Sequence, residues 1–158
     1  MPSENVSNAD NQQERFKLIG WIVGLTDGEG CFSVSVFKNS TTKSGWQVFP
    51  EFVVTQSEES KNCLEVLQKY FGCGSIYINR RKDNHRENLY RYCVRNLSDI
   101  NNKIIPFYQE NCLITAKRND FDNFCKAVDI ISKGDHLKRT GFEKIVEITK
   151  KMNRKRRV

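Results

Sequence analysis

Residues 19–30 read IGWIVGLTDGEG, and the fold turns on how this stretch is read. An apolar, helix-like run gives way after Leu25 to two carboxylates, Asp27 and Glu29, on a chain thinned by Gly28 and Gly30. From Phe16 to Leu25 the apolar residues are too dense for a one-sided surface helix, which predicts a helix buried nearly all round. Gly20 and Gly24 stand one turn apart on one face. Each costs a helix interior roughly 1 kcal/mol relative to alanine, so the pair predicts close approach by another helix.

Downstream, CFSVSVFK (31–38) alternates strictly and predicts a strand with Phe32, Val34 and Val36 on its buried side. WQVFPEFVVTQ (46–56) predicts its hairpin partner, with Pro50 marking an edge or a bulge. Ser57, Glu58 and Glu59 read as the start of a helix carrying Leu64, Leu67 and Phe71 and stopping at Gly72. A second hairpin follows, SIYINRRK (75–82) and NLYRYCVR (88–95), with Ile76, Ile78, Tyr92 and Val94 inward. Ser98 then caps a helix that Pro106 breaks, a longer helix spans roughly 115–133, and Thr140 with Glu143 forms a capping box for the last one. The expected fold is therefore α+β: a four-stranded antiparallel sheet backed by helices on one face and open on the other, with extra C-terminal helical material.

The 158 residues suit one domain, expected over 14–153, between a mobile polar leader (1–13) and a basic tail (154–158). With 38% hydrophobic and 11% aromatic residues the chain is not disordered throughout, and no long uncharged apolar run predicts a membrane span. The start lacks the pattern of a secretory signal, so an intracellular protein is expected, in a bacterial or archaeal cytoplasm or a eukaryotic organelle. Six cysteines without a CxxC pair or a nearby histidine pair argue against zinc and for reduced, mostly buried thiols. His85 and His136 are read as a turn and a cap-region residue. The net charge of +7 points to a polyanionic partner.

The open face is where that partner would meet the chain. By strand parity it carries Ser33, Ser35, Phe37, Gln47, Phe49, Glu51, Val53, Tyr77, Asn79, Arg81, Arg91, Cys93 and Arg95. Hydroxyl, amide and guanidinium groups on a β-ribbon suit base edges and phosphates, although polar residues are also the default for any solvated sheet face. Lys138 and Arg139 are candidates for phosphate contacts. A carboxylate on a glycine-flanked turn suits magnesium, which takes oxygen ligands and often only one or two protein carboxylates. If the Gly20/Gly24 face meets the same face of a second copy, two copies of Glu29 come together on the symmetry axis.

The segment WIVGLTDGEG resembles the signature of the LAGLIDADG homing endonucleases. Ile22 to Gly30 match its nine positions, with Gly24, Leu25, Asp27 and Gly30 identical and glutamate replacing the second aspartate at Glu29. The resemblance implies the family's αββαββα saddle over roughly 14–133. A single signature implies a homodimer, with Gly20, Val23, Gly24 and Asp27 at the interface, acting on a long pseudo-palindromic DNA site. It further implies that Glu29 and the Gly28 carbonyl hold Mg²⁺, that Mn²⁺ substitutes, and that Ca²⁺ binds without supporting cleavage. Asp27 is expected to stabilise the helix end. Gln56 and Lys117 are the candidate polar and basic groups of the site, with Thr115 and Arg118 as alternatives to Lys117. Gln56 lies on the Trp46–Val54 face by parity, so a bend or bulge is expected there. The implied activity is metal-assisted hydrolysis of both DNA strands; the alternative is a non-cleaving binder on the same scaffold, an intron RNA maturase or a DNA-binding regulator.

Overall fold

A computed structural model describes residues 4–80 and 87–152, with side chains from residue 8 onward. Helix α1 (Glu4–Glu29) passes without a connecting residue into strand β1 (Gly30–Lys38), which pairs antiparallel with β2 (Trp46–Ser57). Helix α2 (Asn62–Phe71) leads to β3 (Ser75–Asn79) and β4 (Leu89–Val94). A short helix α3 (Leu97–Asp99), a π-helical turn (Ile100–Ile104) and α4 (Ile105–Glu110) precede α5 (Lys117–Ser132) and α6 (Arg139–Met152). The sheet is antiparallel in the order β1-β2-β4-β3. The α+β class and the helix–hairpin–helix–hairpin–helix order are as the periodicities predicted.

The core lies between the helices and one sheet face. Phe32 is its centre, with ring centroids 5.0 Å from Phe52, 5.4 Å from Tyr108, 5.1 Å from Phe121 and 5.4 Å from Phe124. Cross-strand register makes this possible: Phe32 stands opposite Phe52, and Val54 opposite Tyr92, all four on the inward side. Each such side chain taken from water contributes about 1.5–3 kcal/mol, so the alternation that reads as a half-buried strand is also the energetic reason for its orientation.

Several local expectations are corrected. Helix α1 runs back to Glu4, through the segment read as a leader, because nothing in that polar stretch breaks a helix. Its buried side is one stripe, Ile22 and Thr26 with Leu18, Ile19 and Leu25 partly covered, whereas Gly20, Trp21 and Gly24 are exposed. Glu58–Ser60 forms a 3₁₀ turn rather than the start of α2. Asn96, not Ser98, caps α3, accepting from the Asp99 N–H at 3.1 Å. Pro106 sits in the first turn of α4, where its missing N–H costs nothing, instead of ending a helix. At α6 the Glu143 carboxylate accepts from Arg139 Nε at 2.9 Å, an i,i+4 pair in place of the capping box with Thr140. Ile78 is 48% exposed because β3 is an edge strand that the helices do not cover at that end. Pro50 lies on a stretch of β2 that β4 does not reach, since β4 pairs only with Phe52–Ser57; its lost N–H is tolerated as at an edge. All six cysteines are free, but only Cys93 is buried, and Cys31 and Cys112 are exposed. His136 lies in the 3₁₀ turn Asp135–Leu137. Arg81, His85 and the 154–158 tail lie outside the described residues. Among the described residues no helix is long and apolar enough to cross a membrane.

Candidate active site

The junction between α1 and β1 explains its own sequence. A Cβ on Gly30 would stand 2.6 Å from Thr26 Cγ2 and 2.8 Å from the Thr26 carbonyl oxygen, so only glycine allows helix to become strand in one step. Thr26 is fully buried, and its hydroxyl shares a 2.6 Å hydrogen bond with the Tyr108 hydroxyl, which pins the helix end to α4. Asp27, Gly28 and Glu29, expected on a glycine-flanked turn beyond the helix, are instead the last residues of α1 itself, because the chain stays helical up to Gly30; Gly28 and Glu29 are exposed there. Among the described residues the Glu29 carboxylate takes part in no hydrogen bond or ion pair.

Asp27 does something different. Its carboxylate accepts the Ile114 N–H at 2.9 Å, the Thr115 N–H at 3.2 Å and the Thr115 hydroxyl at 2.8 Å. Burial pushes this carboxyl up, but those donors and the nearby Lys117 charge outweigh it and leave it below the ordinary carboxylate value. Asp27 thus fastens the loop that leads into α5, and it stabilises that loop rather than only its own helix end. Thr115 also accepts the Lys117 N–H at 3.3 Å through its hydroxyl. From the first turn of α5 the Lys117 ammonium reaches back to donate to the Thr26 carbonyl at 3.0 Å. A cation is favoured at the negative end of a helix, and α1 ends here with an added carboxylate. Of the candidates for the basic group, Lys117 is therefore the one whose charge stands at the α1 terminus, while Thr115 serves the Asp27 clamp.

Gln56 reaches the neighbourhood by register. Gly30 pairs with Val54, so Gln56, two residues further along β2, lies alongside the α1–β1 junction. The expected bulge is not there. Pairing runs without interruption from Phe52↔Val94 to Ser57↔Leu89, and Gln56 faces Tyr90 on the inward side, half-buried. Among the described residues no three His, Cys, Asp or Glu side chains come together as a metal cluster. The donors at the helix end are one carboxylate and backbone carbonyls, hard oxygen ligands that fit a hydrated divalent cation taking few protein ligands.

On the open face Ser33 stands opposite Glu51, Ser35 opposite Phe49 and Phe37 opposite Gln47. Tyr77 stands opposite Arg91. Tyr77, Asn79, Ser35 and Phe37 are exposed, and among the paired strand residues the register keeps the expected faces, Arg81 lying outside the described residues. Exposure does not follow parity everywhere, however. Val53 and Cys93, in the middle of this face, are 5% and 3% exposed, so they form its floor and offer no contact surface. Burial accordingly raises the Cys93 thiol above its ordinary value. Glu51 is held by Arg91 and Arg95, the second of which sequence parity had placed on the face without singling it out. At the hairpin tip Gln47 accepts from Asn39 Nδ2 at 2.8 Å. Lys138 and Arg139 are exposed at the start of α6, beside the tip residues that line a groove with His136 and Leu137.

Comparison with known proteins bears on all of these features. A family model described as LAGLIDADG endonuclease matches residues 22–128. The chain is 34% identical over 131 residues to a probable intron-encoded endonuclease 3 from Neurospora crassa, covering 82% of this chain and 24% of that protein. It is thus similar to about a quarter of that relative's length, and to 28% of a second from the same fungus. Among solved structures it superposes on the homing endonuclease I-TnaI with a TM-score of 0.76 at 37% identity, over 85% of this chain and 87% of the other. It superposes equally, at 0.76 and 34% identity, on I-SmaMI bound to uncleaved DNA target in the presence of calcium ions, over 84% of this chain and 43% of the other. The chain belongs to the LAGLIDADG endonuclease family.

Proposed function

We propose that this protein is a site-specific DNA endonuclease of the intron-homing type, hydrolysing both strands of a long pseudo-palindromic target as a homodimer with a divalent cation. The observation that carries this reading is the exposed Glu29 carboxylate, which has no hydrogen-bond or ion-pair partner among the described residues, at the helix end to which the Lys117 ammonium donates through the Thr26 carbonyl. The polar, arginine-bearing sheet face supplies the surface for duplex DNA, with Tyr77, Asn79, Arg91 and the rim of Ser33, Ser35, Phe37, Gln47 and Phe49 as contacts and Lys138 and Arg139 on the backbone.

Glu29 and the Gly28 carbonyl hold the cation, Mg²⁺ or in its place Mn²⁺, while Ca²⁺ occupies the site without supporting cleavage. When bound, such an ion supplies positive charge to the phosphate and makes water easier to deprotonate. Lys117 contributes a fixed positive charge where negative charge develops on the phosphate and the leaving oxygen. Gln56, at the junction by register, offers an amide to orient water or phosphate. Gly28 has no side chain to block approach to the carbonyl, and the Asp27 clamp keeps Lys117 in place.

The glycines support the dimer. A Cβ at Gly20, Gly24 or Gly28 would meet nothing within 4 Å in this chain, so their lack of side chains relieves no crowding inside the protomer. A second copy of α1 approaching that face, with Val23 beside it, accounts for them and brings the two Glu29 carboxylates together. The decisive test is Glu29→Gln: DNA cleavage with Mg²⁺ should vanish while target binding in Ca²⁺ persists, and a Gln variant that cuts at the native rate would refute the assignment.

A further inference from the structure

The open face carries, at the end of its central ladder, an arrangement that a phosphate-binding surface does not need. Glu51 on β2 is 12% exposed and is gripped by two guanidinium groups, Arg91 Nη2 at 3.4 Å and Arg95 through its Nε. The Arg95 guanidinium also lies over two rings, 5.0 Å from the Tyr77 centroid and 5.7 Å from that of Phe49. Strands β2 and β4 are the two central strands, and Glu51 and Arg95 stand one residue beyond the Phe52–Val94 pair, so this cluster lies at the end of the central ladder. A largely covered carboxylate there opposes phosphate binding, because it cancels one of the two positive charges. What it does provide is orientation. An arginine side chain ordinarily samples many rotamers, and an ion pair at Nε with aromatic faces beside the plane narrows that range.

That restriction leaves the two terminal nitrogens of Arg95 as an open fork, since among the described residues its only hydrogen bond is the one through Nε to Glu51. Two parallel N–H donors match the O6 and N7 acceptors on the major-groove edge of guanine, the commonest specific contact of this side chain. Adenine presents a donor at one of those two positions, and the pyrimidines do not offer the acceptor pair. We propose that Arg95 reads one guanine in each half of the DNA target, and that Glu51 is a positioning residue that holds Arg95 for this contact rather than touching DNA itself. The inference rests on the reading of the chain as a homodimeric DNA endonuclease and extends it to the sequence it prefers.

The test is cleavage-site selection from a randomised duplex pool by the purified full chain, comparing the native protein with Arg95→Lys and Glu51→Gln. Lysine keeps the charge but lacks the planar fork. Arg95→Lys should lower guanine enrichment at one position in each half-site on the order of tenfold, with the remaining positions unchanged. Glu51→Gln should weaken the same position by less. If Arg95→Lys lowers binding equally for all sequences, or keeps the guanine preference, Arg95 is a phosphate contact or a bystander and the inference is overturned. Tyr77→Leu, on an exposed edge-strand residue, checks the same position independently should either variant melt at a lower temperature. A native chain that cuts selected sequences showing no guanine dependent on Arg95 sinks this inference alone; one that selects and cuts nothing sinks the endonuclease reading with it.

Discussion

The Asp27 carboxylate accepts both the backbone N–H and the hydroxyl of Thr115, at 3.2 and 2.8 Å, across 88 positions of sequence. An acid of the family signature is therefore committed to holding a distant loop, and through that loop the start of α5 and Lys117. Hydrogen bonds to a charged acceptor each contribute about 1.5–3 kcal/mol at the upper end of their range. Asp27→Ala should lower the melting temperature by several degrees, given roughly 2–4 °C per kcal/mol for a chain of this size. Thr115→Val should do the same to a smaller extent. In a double-mutant cycle followed by thermal melting, the two losses should be less than additive, because both remove one bond. Strict additivity would show that the hydroxyl bond between Asp27 and Thr115 contributes nothing to the fold.

Thr26 and Tyr108 present a second internal pair, buried and mutually satisfied. Tyr108→Phe leaves the Thr26 hydroxyl without its partner and should cost about 1–3 kcal/mol, the penalty for a buried polar group left unmade. Replacing both, with Thr26→Val added, should recover a large part of that loss. Urea unfolding of the three variants measures it, and a double variant less stable than either single would mean that packing, and not hydrogen bonding, dominates there.

Lys117→Met removes the ammonium at the α1 terminus while keeping much of the side chain's apolar length. Single-turnover cleavage should fall by at least tenfold, with specific DNA binding in Ca²⁺ nearly unchanged, since the charge is assigned to the reaction and not to recognition. Equal loss in both assays would make Lys117 a DNA-binding residue.

Gly20→Leu places a bulky side chain where the single chain has open space, so the protomer should fold with little change in melting. Sedimentation should nevertheless shift from dimer to monomer, and cleavage of a palindromic target should disappear. A native sedimentation profile for this variant would rule out the glycine face as the subunit contact.

DNA affinity should fall steeply with added salt, because each neutralised phosphate contributes about 0.9 to the logarithmic slope and a dimer carries two sets of cations. Arg139→Ala should reduce that slope by about one for each phosphate lost, two per dimer, and weaken all sequences alike. Filter binding between low and moderate salt decides this; a shallow native slope would place the basic charge away from the duplex.

How much of this was legible beforehand varies with the range of the interaction involved. Alternation in CFSVSVFK and its partner strand assigned every open-face residue correctly, because successive side chains of a strand point to opposite sides whatever they pack against. The α1–β1 junction was legible for a similar reason: Gly30 answers a clash with Thr26 only four residues away. Exposure was not legible, as Val53 and Cys93 have the outward parity yet are buried. Nor was the unbroken register at Gln56, which depends on β4.

By itself the sequence determined the α+β class, the strand faces and the abrupt end of the helix at Glu29–Gly30, all set by backbone geometry acting within a few residues. The tertiary structure alone decided that Asp27 and Thr115 meet, that Lys117 returns to Thr26, and that Glu51 holds Arg91 and Arg95. Each of these joins groups 40 or more positions apart, where only the packed chain brings donor and acceptor within hydrogen-bond reach.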